Sequence, residues 1–364
     1  DSDGVWIRAA VCREFGAPLS VERLRLSPPR AGQVRIRLSA CAICHSDIIY
    51  MDGGWGGTPP IVFGHEAAGV VVSAGAGVSL SPDTRVIATL LRSCGACVFC
   101  EKGFPSQCEG AFDDSPHLFD ESGKKVFAGL KTGAFAEEIV VDVSQVSAIP
   151  DSMPYDQASL LACGVLTGWG SVLNTAKVSA GDSVAVVGCG GVGLNCLQAA
   201  AAAGAFPIAA ADISESKLEL ARKFGATDLL YAGGGMESDL RRITGGRGFD
   251  FVFMAAGSAR AAEYAAQLVA KTGALVLVGM PPDGDFAKLN AATVANNHQR
   301  ILGSKMGGAR LRADIPRLLR MHREGKLKLA ELIGGRYPLR DINAAVADAR
   351  RGGALRNVII FDDK

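Results

Sequence analysis

The sequence predicts an α/β protein in which a doubly wound parallel sheet is inserted into an irregular, mostly β, barrel-like domain. Its 364 residues are too many for one ordinary domain and predict two. The first 150 residues contain short β patterns broken by glycine and proline, whereas the chain from residue 183 onward alternates strand and helix patterns. The C-terminal part is mixed again, so the α/β part lies between two parts of the other domain.

Composition limits the kinds of protein that the chain can be. Hydrophobic residues make up 48% and charged residues 21%, which excludes a chain that is disordered by composition. Lysine and arginine total 38 against 37 acidic residues, so no basic surplus would attract nucleic acid or an anionic membrane. The 45 glycines follow no three-residue period and indicate tight turns. These features favour a soluble enzyme.

Apolar runs and cysteines indicate the compartment. No run approaches the roughly 18–20 apolar residues that span a bilayer, and the first residues lack the positive flank and apolar stretch of a secretory signal. Ten cysteines without an export signal are more typical of metal binding in a reducing compartment than of disulfides. We expect a cytoplasmic protein.

The first domain is predicted from short strands. Residues 33–38 alternate polar and apolar side chains with period two, as a half-buried strand does. Residues 67–72 and 85–88 are further strand candidates, and no helix longer than two or three turns stands out before residue 150. This pattern predicts a mostly antiparallel barrel.

The second domain is predicted from alternating elements. They are, in chain order, residues 183–187 (strand), 194–203 (helix), 207–212 (strand), 214–224 (helix), 249–256 (strand), 258–269 (helix), 273–280 (strand) and 299–306 (final strand). Strands that alternate with helices of about ten residues predict βαβ units and a parallel sheet covered on both faces.

The tail carries a helix pattern at 313–323 and a short strand at 358–360. The predicted domains are therefore 1–164 with 306–364, and 165–305.

A glycine-rich turn in the second domain has the pattern of a dinucleotide site. Residues 188–193 read GxGxxG, and they follow a predicted strand and open a predicted helix, as this motif requires. Gly188 permits a tight turn, Gly190 lets the backbone approach a pyrophosphate, and Gly193 allows close packing of helix on strand. Asp212 ends the next strand, 19 positions after Gly193, where an acid accepts hydrogen bonds from the adenosine ribose. An ordinary glycine turn with a solvated aspartate is the less favoured alternative.

Four cysteines in fifteen residues predict a metal site. Cys94, Cys97, Cys100 and Cys108 follow a C-x2-C-x2-C-x7-C pattern, which suits a closed tetrahedral zinc site that stabilises a lobe. Free or disulfide-bonded cysteines are improbable at this spacing in a reducing compartment. A zinc knuckle for nucleic acid is disfavoured, because no basic or aromatic surface surrounds the cluster.

A second set of polar residues is dispersed along the chain. Residues 44–47 read Cys-His-Ser-Asp, residues 64–66 read Gly-His-Glu, and Cys163 lies much farther on. Each alone is more often a core cysteine or a hydrogen-bonded histidine than a ligand. They form a metal site only if the fold brings them together, which their spacing does not decide.

The order of these motifs resembles that of zinc-containing medium-chain alcohol dehydrogenases. The shared features are residues 44–47, 64–66, the four-cysteine segment, the CGVLTG run at 163–168 and the glycine turn, and the resemblance extends from Val11 to Phe361. It implies a GroES-like catalytic domain, a Rossmann domain, NAD and two zinc ions per chain. A Cys₂His ligand set with an open fourth position is the catalytic zinc site of this enzyme family.

The resemblance also implies roles at the catalytic zinc. Cys44, His65 and Cys163 would hold the metal, with Glu66 as a transient or alternate ligand. Asp47 would accept the other ring N–H of His65 and fix its tautomer. The substrate oxygen would take the open zinc position, Ser46 would relay its proton, and hydride would pass to the nicotinamide.

Cofactor and substrate contacts follow from the same resemblance. Thr167 and Val192 would pack near the nicotinamide, His45 and Arg356 would meet the pyrophosphate, and Lys217 would lie near the adenosine ribose. The implied substrate pocket is mostly apolar, with one charge; its residues are Trp55, Leu90, Phe135, Met280 and Lys305.

Ile49 is a departure from the family pattern. Many members have a histidine there that passes the proton to solvent, and isoleucine cannot carry a proton. The sequence therefore does not identify the route by which the proton reaches solvent. The segment from Cys108 to Phe135 keeps most of a loop that tetrameric members shorten, which favours a homodimer.

Three alternatives to an NAD-dependent zinc alcohol dehydrogenase can be weighed against the sequence. A formaldehyde dehydrogenase that acts on a thiol adduct also carries Cys-His at this position and also lacks the relay histidine. A zinc-free quinone or enoyl reductase lacks the three ligands and is excluded by them. A catalytically silent binding protein on the same fold would be expected to have lost ligands, and none is missing here.

Overall fold

The computed structural model describes residues 4–352 and 355–361. Its contacts divide the chain into two compact units. The first comprises Asp1–Cys163, Arg310–Leu319 and Leu329–Lys364, and the second comprises Gly164–Ala309 and Arg320–Lys328. Gly164 and residues 306–309 and 320–328, which were predicted for the first domain, thus group with the second unit.

The strands and helices have the following bounds. The strands are β1 (Val5–Cys12), β2 (Ser20–Leu26), β3 (Gln33–Ala42), β4 (Ile61–Val62), β5 (Glu66–Ala74), β6 (Arg85–Ala88), β7 (Leu118–Phe119), β8 (Lys125–Ala128), β9 (Glu138–Asp142), β10 (Val146–Ala148), β11 (Val184–Val187), β12 (Ile208–Asp212), β13 (Asp228–Tyr231), β14 (Phe249–Met254), β15 (Val269–Leu277), β16 (Arg300–Gly303), β17 (Ile333–Pro338) and β18 (Arg356–Ile360). The α-helices are α1 (His45–Met51), α2 (Val98–Glu101), α3 (Tyr155–Leu160), α4 (Leu166–Gly170), α5 (Gly191–Ala203), α6 (Glu215–Arg222), α7 (Met236–Thr244), α8 (Ala259–Gln267), α9 (Ala291–Asn296), α10 (Leu311–Arg323) and α11 (Ile342–Arg351). Two π-helical segments, Leu161–Val165 and Ser171–Ala176, flank α4.

The first unit combines a closed barrel with a mixed sheet. The barrel order is β1-β2-β7-β8-β4, and the sheet order is β10-β6-β5-β3-β18-β17, with β9 also paired to β3. The alternation predicted at 33–38 is present, because Val34, Ile36 and Leu38 are buried while Arg37 is exposed. Ala42 of β3 pairs with Glu66 of β5 on one side and with Val358 of β18 on the other. β3 therefore brings together strands that are far apart in sequence.

The second unit is a six-stranded parallel sheet in the order β13-β12-β11-β14-β15-β16. All four residues of β11 are buried, as expected for a central strand covered on both faces. The predicted fold, a Rossmann sheet together with a mostly β domain, is confirmed.

Some predicted elements differ from the observed ones. The strand predicted at 299–306 ends at Gly303, because residues 305–308 form a tight turn in which three residues have left-handed φ angles. Helix α11 was not predicted, although Ile342, Ala345 and Val346 supply buried positions at helical spacing. Strand β13 was also missed, since four residues are too few to establish a period.

None of the described helices is long and apolar enough to cross a membrane.

The core of the second unit yields a test of this packing. Phe249 on β14 is fully buried in an apolar cluster, so Phe249→Ala should lower the free energy of unfolding by about 3–5 kcal/mol. Phe286 is 86% exposed, and Phe286→Ala should change it by no more than about 0.5 kcal/mol. Thermal and denaturant unfolding of both variants measure the difference. Equal losses would contradict the assigned core.

Candidate metal and cofactor sites

Four side chains from distant parts of the sequence form one buried cluster in the first unit. Cys44, His65, Glu66 and Cys163 place their potential ligand atoms within 4.8 Å of one another, and all four residues are buried. Cys44 is the N-cap of α1, His65 immediately precedes β5, and Cys163 lies in the π-helical segment before α4. The fold therefore brings together the dispersed polar residues that spacing alone could not join.

Asp47 organises this cluster from the first turn of α1. Its carboxylate accepts hydrogen bonds from the Cys44 N–H at 3.2 Å, the Gly64 N–H at 3.0 Å and His65 Nδ1 at 2.9 Å. Because Nδ1 is held by Asp47, Nε2 is the ring nitrogen left for a metal, and it has no hydrogen-bond partner. Burial opposes the charged imidazole, but Asp47 and Cys44 together outweigh it and raise the pKa of His65 well above its usual value.

Arg356 and Glu66 form a buried ion pair beside the cluster. Glu66 is fully buried and Arg356 is 6% exposed. Burial raises the pKa of Glu66 to about 7, although Arg356 acts in the opposite direction. The family resemblance implies a pyrophosphate contact for Arg356, and no local pattern predicts its pairing with Glu66, because 290 residues separate the partners.

The donor set fits zinc. Two cysteine sulfurs and one imidazole nitrogen are the ligands that zinc prefers, and a neighbouring carboxylate oxygen is also acceptable. The contact with Cys163 lowers the pKa of Cys44 well below that of an ordinary thiol, against the effect of burial. The Cys44 thiol, whose pKa is lowered, and a His65 nitrogen without a hydrogen-bond partner thus lie in one cluster with Glu66 and Cys163.

The four-cysteine lobe forms the second cluster. Cys94, Cys97, Cys100 and Cys108 also place their sulfurs within 4.8 Å of one another. The backbone N–H groups of residues 96 and 97 donate to Cys94 Sγ at 3.5 and 3.3 Å, and they lower the pKa of that thiol. Backbone donation of this kind stabilises thiolates. Within the described residues these are the two clusters that can hold a metal ion.

The glycine turn of the second unit has the backbone geometry that its sequence requires. Gly188 has a φ of 96°, a left-handed conformation that favours glycine. A Cβ on Gly193 would lie 1.8 Å from the Gly188 carbonyl oxygen, so the helix could not approach the strand with a larger residue there. A Cβ on Gly190 would meet open space, which leaves the helix N-terminus accessible to a phosphate.

Asp212 is fixed beside this turn at the end of β12. Its carboxylate accepts the backbone N–H of Cys189 at 2.8 Å and that of Ser214 at 3.0 Å. Both hydrogen bonds come from segments that follow the carboxyl ends of adjacent strands, where ligands bind in open α/β sheets. Asp212 therefore presents a negative charge next to the glycine turn.

The other predicted contact residues differ in exposure. Thr167 is buried in α4, Val192 and Lys217 are half-buried in α5 and α6, and His45 is exposed at the start of α1. On α1, Ser46 and Ile49 are half-buried. The predicted pocket residues differ: Trp55 and Leu90 are half-buried, Met280 and Lys305 are exposed, and Phe135 is fully buried in the core of the first unit. Phe135 packs in the core, where a Cβ on Gly64 would lie 2.6 Å from its ring.

Comparison with known proteins gives two matching families. The alcohol dehydrogenase GroES-like domain matches residues 30–151, and the zinc-binding dehydrogenase family matches residues 191–324. These ranges fall in the first unit and mainly in the second unit, respectively.

Full-length relatives agree with these matches. The chain is 32% identical to the NDMA-dependent alcohol dehydrogenase of Amycolatopsis methanolica, over 97% of this chain and 98% of that protein. It is 34% identical to S-(hydroxymethyl)glutathione dehydrogenase of Saccharomyces cerevisiae, over 98% of this chain and 96% of that protein. The crystal structure of benzyl alcohol dehydrogenase from Acinetobacter calcoaceticus is similar with a TM-score of 0.91 and 28% identity, over 98% of this chain and 100% of that one. The chain therefore belongs to the zinc-containing medium-chain alcohol dehydrogenase family.

Proposed function

We propose that this NAD-dependent zinc alcohol dehydrogenase holds its catalytic zinc on Cys44, His65 and Cys163, with Glu66 as an alternate ligand. The observation that carries the proposal is the meeting of these four buried side chains within 4.8 Å. A second, structural zinc would be held by the four-cysteine lobe, whose closed thiolate set leaves no position for a substrate.

The residues around the catalytic cluster have separate tasks. Zinc supplies a Lewis acid and NAD accepts or returns the hydride when both are bound. Asp47 holds His65 Nδ1 and thereby fixes the ring so that Nε2 is the nitrogen left for the metal, and Arg356 balances the charge of Glu66. Ser46 would take the proton of the substrate hydroxyl, and Ile49 ends that route because its side chain holds no exchangeable proton.

For the cofactor we propose NAD in preference to NADP. Asp212 is the negatively charged group beside the glycine turn, and the next residues, Ile213 and Ser214, carry no charge. A carboxylate accepts hydrogen bonds from the two ribose hydroxyls but repels a 2′-phosphate. Thr167 and Val192 would face the nicotinamide, and Lys217 the adenosine ribose; His45 and Arg356 remain candidates for the pyrophosphate.

The substrate is proposed to be an alcohol or aldehyde larger than ethanol. Four of the five pocket candidates are apolar, and a solved relative is named as a benzyl alcohol dehydrogenase. S-(hydroxymethyl)glutathione is the second candidate, since a relative is named for it and the chain carries His45 and Ile49. Lys305 is exposed and would favour an anionic substrate if it reached the bound alcohol. A panel of primary, aromatic and acid-bearing alcohols distinguishes these classes by kcat/KM.

We further propose a cytoplasmic homodimer. All ten cysteines are free, as expected in a reducing compartment. Strand β16 is an edge of the parallel sheet, and Ile301 on it is 44% exposed. A hollow of about 430 Å³ beside it is lined by both apolar and oppositely charged residues, among them Leu289, Glu263 and Lys288. An open edge of this kind invites pairing with a second copy of the same strand.

The two zinc assignments predict different effects of cysteine loss. Cys163→Ala should reduce turnover at least ~1,000-fold, because several kcal/mol of Lewis-acid stabilisation is lost, while the protein stays folded and binds NADH. Cys97→Ala should lower the melting temperature by about 5–10 °C, because a closed thiolate site contributes folding energy. Zinc content, turnover and thermal unfolding are measured. Cys196→Ala, a buried cysteine outside both clusters, is the control that should keep both zincs. Undiminished turnover without Cys163 would refute the catalytic site.

The role of Asp212 predicts the cofactor preference. The parent should favour NAD over NADP by about 100-fold in kcat/KM, since like charges at close range cost several kcal/mol. Asp212→Gly should reduce this ratio to about 10 or below. Glu219→Gln removes an exposed charge on the neighbouring helix and should leave the ratio unchanged. An NADP-preferring parent would contradict the assignment.

The proposed interface predicts the effect of a charge on β16. Ile301→Arg should convert a dimer to a monomer in sedimentation experiments, because pairing would move a charged side chain from water into the interface. Phe206→Arg replaces another exposed apolar residue, 67% exposed, and should leave the mass unchanged. A dimer that persists in the Ile301 variant would place the interface elsewhere.

A further inference from the structure

Three hydroxyl groups meet inside the second unit, next to α4. Ser304 follows β16 and is 5% exposed. Its Oγ lies 2.8 Å from Ser171 Oγ and 2.8 Å from Thr175 Oγ1, both in the π-helical segment after α4. Ser171 Oγ also donates to the Thr167 carbonyl oxygen at 2.7 Å. The cluster therefore links the end of the sheet to the backbone of Thr167.

The direction of this hydrogen-bond chain follows from counting protons. Each hydroxyl donates one proton. Ser171 uses its proton on the Thr167 carbonyl, so it must accept from Ser304, and Ser304 must in turn accept from Thr175. Ser304 is the middle member, and its loss would leave the Ser171 hydroxyl without its donor and the Thr175 hydroxyl without its acceptor. A buried hydroxyl that loses its partner costs about 1–3 kcal/mol.

Thr167 is also confined by glycines on both sides. A Cβ on Gly168 would lie 2.7 Å from the Val192 carbonyl oxygen in the first turn of α5. A Cβ on Gly170 would lie 2.4 Å from the Gly307 carbonyl oxygen. Such approaches of backbone to backbone require glycine. Thr167 is thus held between the helix that opens at the glycine turn and the turn that follows β16.

The turn after β16 is the other half of this arrangement. Met306, Gly307 and Gly308 have φ angles of 51°, 66° and 59°, all left-handed. The left-handed region is uncommon for a residue such as Met306, and its surroundings must compensate for the cost. Thr167 Oγ1 donates to Met306 Sδ at 3.5 Å, and the hydroxyl cluster anchors the residue just before the turn.

We propose that Ser304 is a positioning residue for the nicotinamide end of the cofactor and acts through Ser171 and Thr167. The inference rests on the proposed contact of Thr167 with the nicotinamide. The Ser304 hydroxyl fixes the Thr167 carbonyl and the left-handed turn relative to each other, so the surface offered to the ring is formed before the ring arrives. Binding to a preformed surface avoids the ordering cost that a loose segment would impose.

This role predicts a difference between two ligands. ADP-ribose contains every part of NADH except the nicotinamide, and its binding depends on the glycine turn and Asp212. Ser304→Ala should therefore weaken NADH binding about 3- to 10-fold and leave ADP-ribose binding within a factor of two. Ser171→Ala, which removes the hydrogen bond to Thr167 directly, should give the same split.

The experiment measures both dissociation constants by calorimetry on the purified zinc-loaded protein. Thr175→Val is the matched control. This substitution removes the hydroxyl at the far end of the hydrogen-bond series and keeps the link from Ser304 through Ser171 to Thr167. Its NADH affinity should therefore change less than that of Ser304→Ala. Equal weakening of both ligands, or of neither, in Ser304→Ala and Ser171→Ala would overturn the positioning role. A parent that binds neither NADH nor ADP-ribose would instead overturn the cofactor assignment, and this inference with it.

Discussion

The first unit depends on one constraint, the burial of several ionisable side chains at a single point. Asp47, His65 and Glu66 have no exposure, and Arg356 has very little. A buried charge without a partner costs several kcal/mol, so each of these groups must be matched by another. The observed pairs are His65 with Asp47 and Glu66 with Arg356, and the two thiols of the cluster lie within 4.8 Å of ligand atoms of His65 and Glu66. A divalent ion bound by the proposed ligands would complete this balance by taking the place of their protons.

The sheet order explains why these groups meet. β3 is the strand that pairs with both β5 and β18, and Ala42 lies opposite Glu66 on one side and Val358 on the other. The same strand leads directly into the turn that carries Cys44 at the start of α1. A single strand thus sets the positions of residues that are up to 290 places apart in sequence. Any change that shifted the register of β3 would disperse the cluster, because one step moves every side chain to the opposite face.

The parts of this arrangement that could be predicted from the sequence are those with a local signature. The glycine turn follows its strand and opens its helix within a few residues, and four cysteines within one lobe define their own geometry. The pairing of Arg356 with Glu66 has no such signature, since neither residue is unusual in its own segment. The same holds for Ser304, whose partners lie more than 125 residues earlier. The strand predicted through 306 ended early because the local pattern shows apolar character but not the left-handed turn that Gly307 and Gly308 permit.

The two units meet their functional demands by different means, which bears on substrate choice. In the first unit the chemistry resides in side chains whose charges must balance. In the second it resides in backbone, held by glycines whose replacement would create contacts shorter than 3 Å, as at Gly168 and Gly193. Neither constraint acts on half-buried or exposed side chains such as Trp55, Leu90 and Met280. Those positions are free to change while metal and dinucleotide sites stay fixed, because their replacement disturbs neither a buried charge nor a close backbone contact. Relatives of similar overall identity are named for substrates as different as benzyl alcohol and S-(hydroxymethyl)glutathione, and in the proposed site a change at such positions would alter the pocket without disturbing the metal ligands.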